Sequence, residues 1–237
     1  MVTISNDSRT RIKRAFEPVA LGLGRLGLTP DGLTLIGFVI TVVGAVLIAQ
    51  QAWVAGGIVV FVGGIFDMFD GTLARATGRV TAFGAFMDSV FDRAGEVVVY
   101  IGVVIGLQAL GILNGTALAA AAMGSAMLVS YTRSKSEGLG FTAGTGMAAI
   151  GIMPREVRLV ILSLGVILAG LLGTLPDNAC TTCAGGASVT PGTLALLLAL
   201  GVITVGSTIT VIQRILHVRN QARRSSQIPS SSNGEPT

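Results

Sequence analysis

This chain has little charge. Only 12% of its 237 residues are Asp, Glu, Lys or Arg, against 51% hydrophobic ones, and the mean hydropathy is +0.77. An average soluble domain carries about twice that charged fraction, so a soluble globular protein is excluded and a membrane protein is indicated. Cysteine is scarce too: Cys180 and Cys183 stand alone in "CTTC", without the further Cys or His that a zinc site needs. They fit a short disulfide or two free thiols outside the membrane. The lone histidine, His217, needs no chemical role.

The uncharged stretches set the architecture. Residues 32–66 and 97–132 carry no charge, and 159–213 carry only Asp177. Each exceeds the roughly 20 residues that cross a bilayer, so each is expected to fold back as a helical hairpin. Breaks at Gln50-Gln51, at Gly111 to Gly115 and between Pro176 and Pro191 divide them. The expectation is an all-α integral membrane protein with six transmembrane helices, near 33–49, 53–76, 82–110, 116–137, 154–174 and 192–217. An N-terminal segment (1–28) precedes the catalytic transmembrane domain (29–220), and a polar tail (221–237) without pattern follows it.

Lys and Arg are missing from the three hairpin tips. All 16 of them fall on one side of the six expected helices, which places both termini in the cytoplasm and the protein in the cell membrane as a multi-pass chain. No cleavable signal peptide is evident at the start. The net charge of +4 therefore describes a membrane face attractive to anionic headgroups rather than a nucleic-acid groove. Within residues 8–28, Ile12, Phe16, Val19 and Leu23 are spaced as one apolar stripe between cations, which predicts an amphipathic helix on the membrane surface.

Against this background, "FDMFDGTLARATGRVTAFGAFMDSVFDR" (66–93) holds four aspartates at two facing helix ends. A buried carboxylate costs several kcal/mol unless something pairs with it. Asp67 and Asp70 are about 60° apart on an ideal helix, and Asp88 and Asp92 about 40°, so each pair shares a face. Two arrangements satisfy the charge. One is a helix end salt-bridged to Arg75, Arg79 and Arg93; the other is a site for Mg²⁺ or Mn²⁺, hard cations that select oxygen ligands. Gly71, Ala74 and Gly84 clear space beside the carboxylates, either for a ligand or for close helix packing.

The string Asp67-x2-Asp70-Gly71-x2-Ala74-Arg75-x8-Gly84-x3-Asp88-x3-Asp92 resembles the complete signature of the CDP-alcohol phosphotransferase family. That resemblance implies an enzyme moving a substituted phosphate from a CDP-linked lipid, such as CDP-diacylglycerol, to an alcohol hydroxyl with release of CMP. It also implies two divalent metal ions and a homodimer. By the same resemblance Asp67, Asp70 and Asp88 are metal ligands, and Asp92 is both a neighbour of the metals and the general base. Gly71, Ala74, Arg75 and Gly84 then belong to the CDP pocket. Asp31 and Thr34 in "LTPDGLT" resemble the family's Pro-Asn-x-x-Thr element near the cytidine, with Asp in place of Asn; the same residues also read as a helix N-terminus.

A second basic cluster bears on the acceptor. Arg133 and Lys135 end the fourth expected helix, Arg155 and Arg158 begin the fifth, and Arg214 ends the sixth. Positive-inside bias would place cations here by itself, yet arginines at a cavity mouth also suit an acceptor with its own phosphate. "SYTRSKSE", Arg155 with Arg158, and Gln213-Arg214 resemble the phosphatidylinositol-phosphate synthase branch, which implies that these cations bind the phosphate of inositol phosphate. Phosphatidylglycerol-phosphate synthase is the rival, although its Asp-Pro-x-x-Asp-Lys form is replaced here by "DSVFDR".

Other features carry less. "GLGFTAGTG" (138–146) lacks the preceding strand of a dinucleotide loop. Gly102 and Gly106 mark a helix contact or a dimer face. A divalent-cation transporter would place carboxylates at the bilayer midplane, not beside arginines at one face.

Overall fold

The computed structural model describes residues 18–141, 150–173 and 190–225, with side chains to 223. Residues 18–25 form α1. The bundle is built from α2 (Pro30–Ala49), α3 (Trp53–Ala76), α4 (Ala82–Ala109), α5 (Leu113–Gly138), α6 (Arg155–Leu171) and α7 (Pro191–Ser225). These helices begin and end within a few residues of the expected bounds, except that α7 runs on to Ser225. Four of them, α2, α3, α5 and α7, are long and apolar enough to cross a membrane.

Local chemistry explains the helix starts at the charged end. Thr29 caps α2, its Oγ1 accepting from the Gly32 N–H at 3.1 Å, with Pro30 in the first turn. Thr81 caps α4 in the same way, accepting from Gly84 N–H at 2.9 Å. Between α3 and α4 only residues 77–81 intervene, and Gly78 takes φ +66° there. This short turn reverses the chain, so that Asp67 and Asp70 at the end of α3 meet Asp88 at the start of α4.

The helices pack in a chain of neighbours: α2 on α3 and α4, α6 on α3 and α7, and α5 on α4 and α7. Ile48, Trp53, Val60, Val103, Leu107, Val166, Leu196 and Ile203 are buried between them. Many other large apolar side chains, among them Val43, Ile105, Leu164, Leu198 and Val205, face outward. An outward apolar surface of that extent suits lipid rather than water.

Glycine sets the closest approach. A Cβ on Gly102 would overlap the Ala45 carbonyl oxygen, and one on Gly106 would lie 2.8 Å from Ile48 O. These two glycines therefore seat α4 on α2 inside the chain, which settles the helix contact.

The described part of α1 docks on the bundle. Ala20 is buried, and Leu23 packs with Leu33, Phe69 and Leu73. Val19, placed with Leu23 on the expected stripe, is 50% exposed. Ile12 and Phe16 lie outside the described residues, as do Cys180, Cys183, residues 142–146 of the glycine-rich loop and residues 226–237 of the tail, whose first five residues continue α7.

Candidate active site

Asp67 and Asp70 sit in the last turns of α3, Asp88 and Asp92 in the first turns of α4. Carboxylate oxygens of Asp67, Asp70 and Asp88 all lie within 4.8 Å of one another. Asp70 is the most deeply held, 4% exposed. Thr34 Oγ1, from α2, donates to its Oδ2 at 2.5 Å, and the Gly71 N–H donates to its Oδ1. Three oxygen-only anions so close repel one another, and a hard divalent cation is what such a donor set accommodates. The residues present thus fit Mg²⁺ or Mn²⁺.

Asp92 lies on the Arg155 side of this triad. Nη1 of Arg155, at the start of α6, is 2.5 Å from Asp92 Oδ1 and 2.6 Å from Asp67 Oδ2. The Arg93 contact to Asp92 is longer, 3.5 Å, while the same Nη1 donates to Ser89 O at 2.8 Å. Of the three arginines that the sequence offered as salt-bridge partners, only Arg93 touches an aspartate here. The close cation comes instead from 63 to 88 positions further along the chain, where no local pattern points to it.

On one side of the carboxylates is a cavity of about 240 Å³. Asp31, Thr34, Gly71, Ala74, Arg75 and Gly84, the six residues expected in a nucleotide pocket, all line it, together with Arg79. Gly84 is tightly placed, since a Cβ would lie 3.1 Å from both Asp31 Oδ1 and Thr81 Oγ1. A Cβ on Gly71 would come within 3.2 Å of Arg75 Nη1. Both glycines keep this wall open.

On the other side lies a larger cavity of about 730 Å³, lined by Asp88, Asp92, Arg93, Arg133, Glu137, Arg155, Arg158 and Arg214 among others. Asp88 borders both cavities.

The basic residues of the larger cavity divide by tethering. Arg133 is partly exposed and paired with Glu137 at 3.0 Å. Arg158 is only 1% exposed, with Nε and Nη2 on the two oxygens of Glu96 at 2.7 and 2.8 Å and Nη1 on Met153 O at 3.1 Å. Arg214, also buried, donates to the backbone carbonyls of Ile150 and Val129. Lys135 is exposed and stands off the cavity wall. Glu96 was not singled out from the sequence. Its signal was there, however, as an acid one helical turn beyond Asp92 on the same stride.

Comparison with known proteins accords with this geometry. The chain is 38% identical over 154 residues to the archaetidylinositol phosphate synthase of Pyrococcus horikoshii, covering 65% of this chain and 77% of that one. It is 31% identical over 218 residues to the phosphatidylinositol phosphate synthase of Streptomyces avermitilis, covering 91% and 82%. Crystal structures of the Mycobacterium tuberculosis phosphatidylinositol phosphate synthase superpose with a TM-score of 0.69. The one with manganese and citrate is 29% identical and covers 86% of this chain and 88% of its own; the one with CDP-DAG bound is 27% identical and covers 94% and 100%. The profile of the CDP-alcohol phosphatidyltransferase family matches residues 27–219, and the chain belongs to that family.

Proposed function

We propose that this protein transfers a phosphatidyl-type group from a CDP-linked lipid to a hydroxyl of inositol phosphate, releasing CMP. The observation that carries the reading is the position of the aspartates between two cavities, one edged by small residues and the other by arginines, with Asp88 on both walls. The relatives named above make inositol phosphate lipids on either an archaetidyl or a phosphatidyl base. They agree on the polar product, and the acceptor is assigned here on that agreement and on the arginines.

In this reading the smaller cavity takes the CDP end of the donor, with Gly71 and Gly84 allowing close approach and Arg75 and Arg79 facing its phosphates. Asp67, Asp70 and Asp88 would hold two divalent cations, Mg²⁺ or Mn²⁺, which when bound would supply positive charge to neutralise the diphosphate and polarise the phosphorus. Asp92 takes the proton from the acceptor hydroxyl. The hydroxyl oxygen forms the new bond to the lipid-linked phosphorus, and the bond from that phosphorus to CMP breaks. Arg155 orients Asp92 and, with Arg133, faces the acceptor phosphate; Arg158 and Arg214, tied to neighbours, shape the cavity beneath it. Six helices cross the cell membrane with both termini and the site at the cytoplasmic face, α1 lies at that face against the bundle, and two copies associate as a homodimer.

The test is CMP release by the purified protein from CDP-diacylglycerol with Mn²⁺ or Mg²⁺, comparing inositol phosphate, glycerol phosphate, free inositol and serine. Inositol phosphate is expected to be preferred; equal turnover of glycerol phosphate would overturn the acceptor assignment. Asp92→Asn is expected to lower kcat by about 10²–10⁴-fold while Mn²⁺ still binds, and an active Asn variant would remove Asp92 from its role as base.

A further inference from the structure

The family's acidic signature stops at Asp92, but the ladder it belongs to does not. Asp88, Asp92 and Glu96 follow one another at four-residue intervals along one side of α4. Opposite them, α6 presents Arg155 and Arg158, three residues apart. The two helices are joined by two rungs: Arg155 with Asp92, which it shares with Asp67, and one turn deeper Arg158 with Glu96. The deeper rung is the more enclosed, with side-chain exposures of 1% for Arg158 and 10% for Glu96. Arg158 belongs to the wall of the large cavity alongside Asp92, and to that of a third, smaller cavity alongside Asp67 and Glu96.

A guanidinium keeps its charge in proteins, so a buried one must find an anion. Glu96 meets that need with two parallel hydrogen bonds, the strongest arrangement a carboxylate offers arginine. Were Glu96 neutral, Arg158 would share those cavity walls with Asp67, Asp88, Asp92, Glu137 and Glu156. Asp92 is the proposed base, Asp67 and Asp88 are proposed metal ligands, and Glu137 is already paired with Arg133. A second guanidinium there would occupy lone pairs that proton transfer and metal binding both require.

We propose that Glu96 is a positioning residue for the transfer reaction: it holds Arg158 one turn below the aspartates, so that Asp92 and Asp67 share a single α6 guanidinium, that of Arg155. The role is indirect, since Glu96 lines neither of the two cavities assigned to the substrates. It rests on the function proposed above, and the measurements separate the two.

Glu96→Gln, Glu96→Asp and the double variant Glu96→Gln/Arg158→Gln are purified alongside the parent protein. For each, kcat, the two KM values and the Mn²⁺ affinity by electron paramagnetic resonance are measured per folded molecule. Glu96→Gln is expected to lose about tenfold in kcat, with the KM for inositol phosphate changed less than about threefold, and to bind Mn²⁺ several-fold more weakly. Glu96→Asp, which keeps the anion, is expected to recover most of both. The double variant leaves no orphan cation, so it should fold even where Glu96→Gln does not, and should bind Mn²⁺ like the parent. A purely structural rung predicts lower thermal stability with kcat and Mn²⁺ affinity unchanged in Glu96→Gln, and that result would overturn the proposal. So would a double variant that binds Mn²⁺ more weakly than the parent. A parent protein that releases no CMP would sink the functional reading instead, and the Mn²⁺ affinities alone would then decide the role of Glu96.

Discussion

At the scale of single residues, the four carboxylates of the site are held in different ways. Asp70 is fixed by a hydroxyl and a backbone N–H, Asp92 and Asp67 share a guanidinium, and Asp88 borders both cavities. Groups that hold a metal ligand in place are commonly worth about 10–100-fold in metal affinity. Thr34→Val keeps the shape of the side chain and removes its hydrogen bond to Asp70, so Mn²⁺ titration of this variant should show a loss in that range; unchanged affinity would mean that Gly71 alone suffices. The aspartates were legible in the sequence because their spacing is a property of one helix at a time. The partner of Asp92 was not, because Arg155 belongs to a helix 63 residues further on.

At the scale of elements, small residues decide how near the helices come, and therefore how α3 and α4 sit on α2, whose Thr34 holds Asp70. The contact of Gly102 with the Ala45 carbonyl leaves no room for a methyl group, and a backbone atom cannot swing aside as a side chain could. Gly102→Ala is expected to destabilise the bundle by about 1–3 kcal/mol, seen as a lower thermal midpoint in detergent. Gly124→Ala, on α5 where nothing lies within 4 Å, serves as the control and should leave the midpoint in place or raise it slightly. Equal behaviour of the two variants would contradict the packing account. The sequence left Gly102 and Gly106 open between a contact within the chain and one between chains. Glycine spacing shows only that something comes close; the fold identifies it as α2.

At the scale of the whole molecule, an apolar exterior with the charged site residues at the helix ends suits the proposed reaction, in which the donor is a lipid. The topology is open to test by labelling with a membrane-impermeant maleimide. In intact expressing cells Cys180 and Cys183, reduced beforehand, should react from outside, whereas Lys135→Cys in a background without them should react only after permeabilisation. The opposite pattern would invert the proposed orientation. Hydropathy, helix bounds and the two aspartate pairs were determined by the sequence itself, because each depends on the period of one helix or on a turn of a few residues; the residues lining the smaller cavity came from the family resemblance. Only the tertiary structure decided that Arg155 reaches Asp67 and Asp92, that Arg158 is tied to Glu96 and Arg214 to backbone carbonyls, and that Lys135 stands off the cavity. Those are contacts between helices tens of residues apart, and a pairing of charges at that separation is set by how helices pack, which no local pattern of residues encodes.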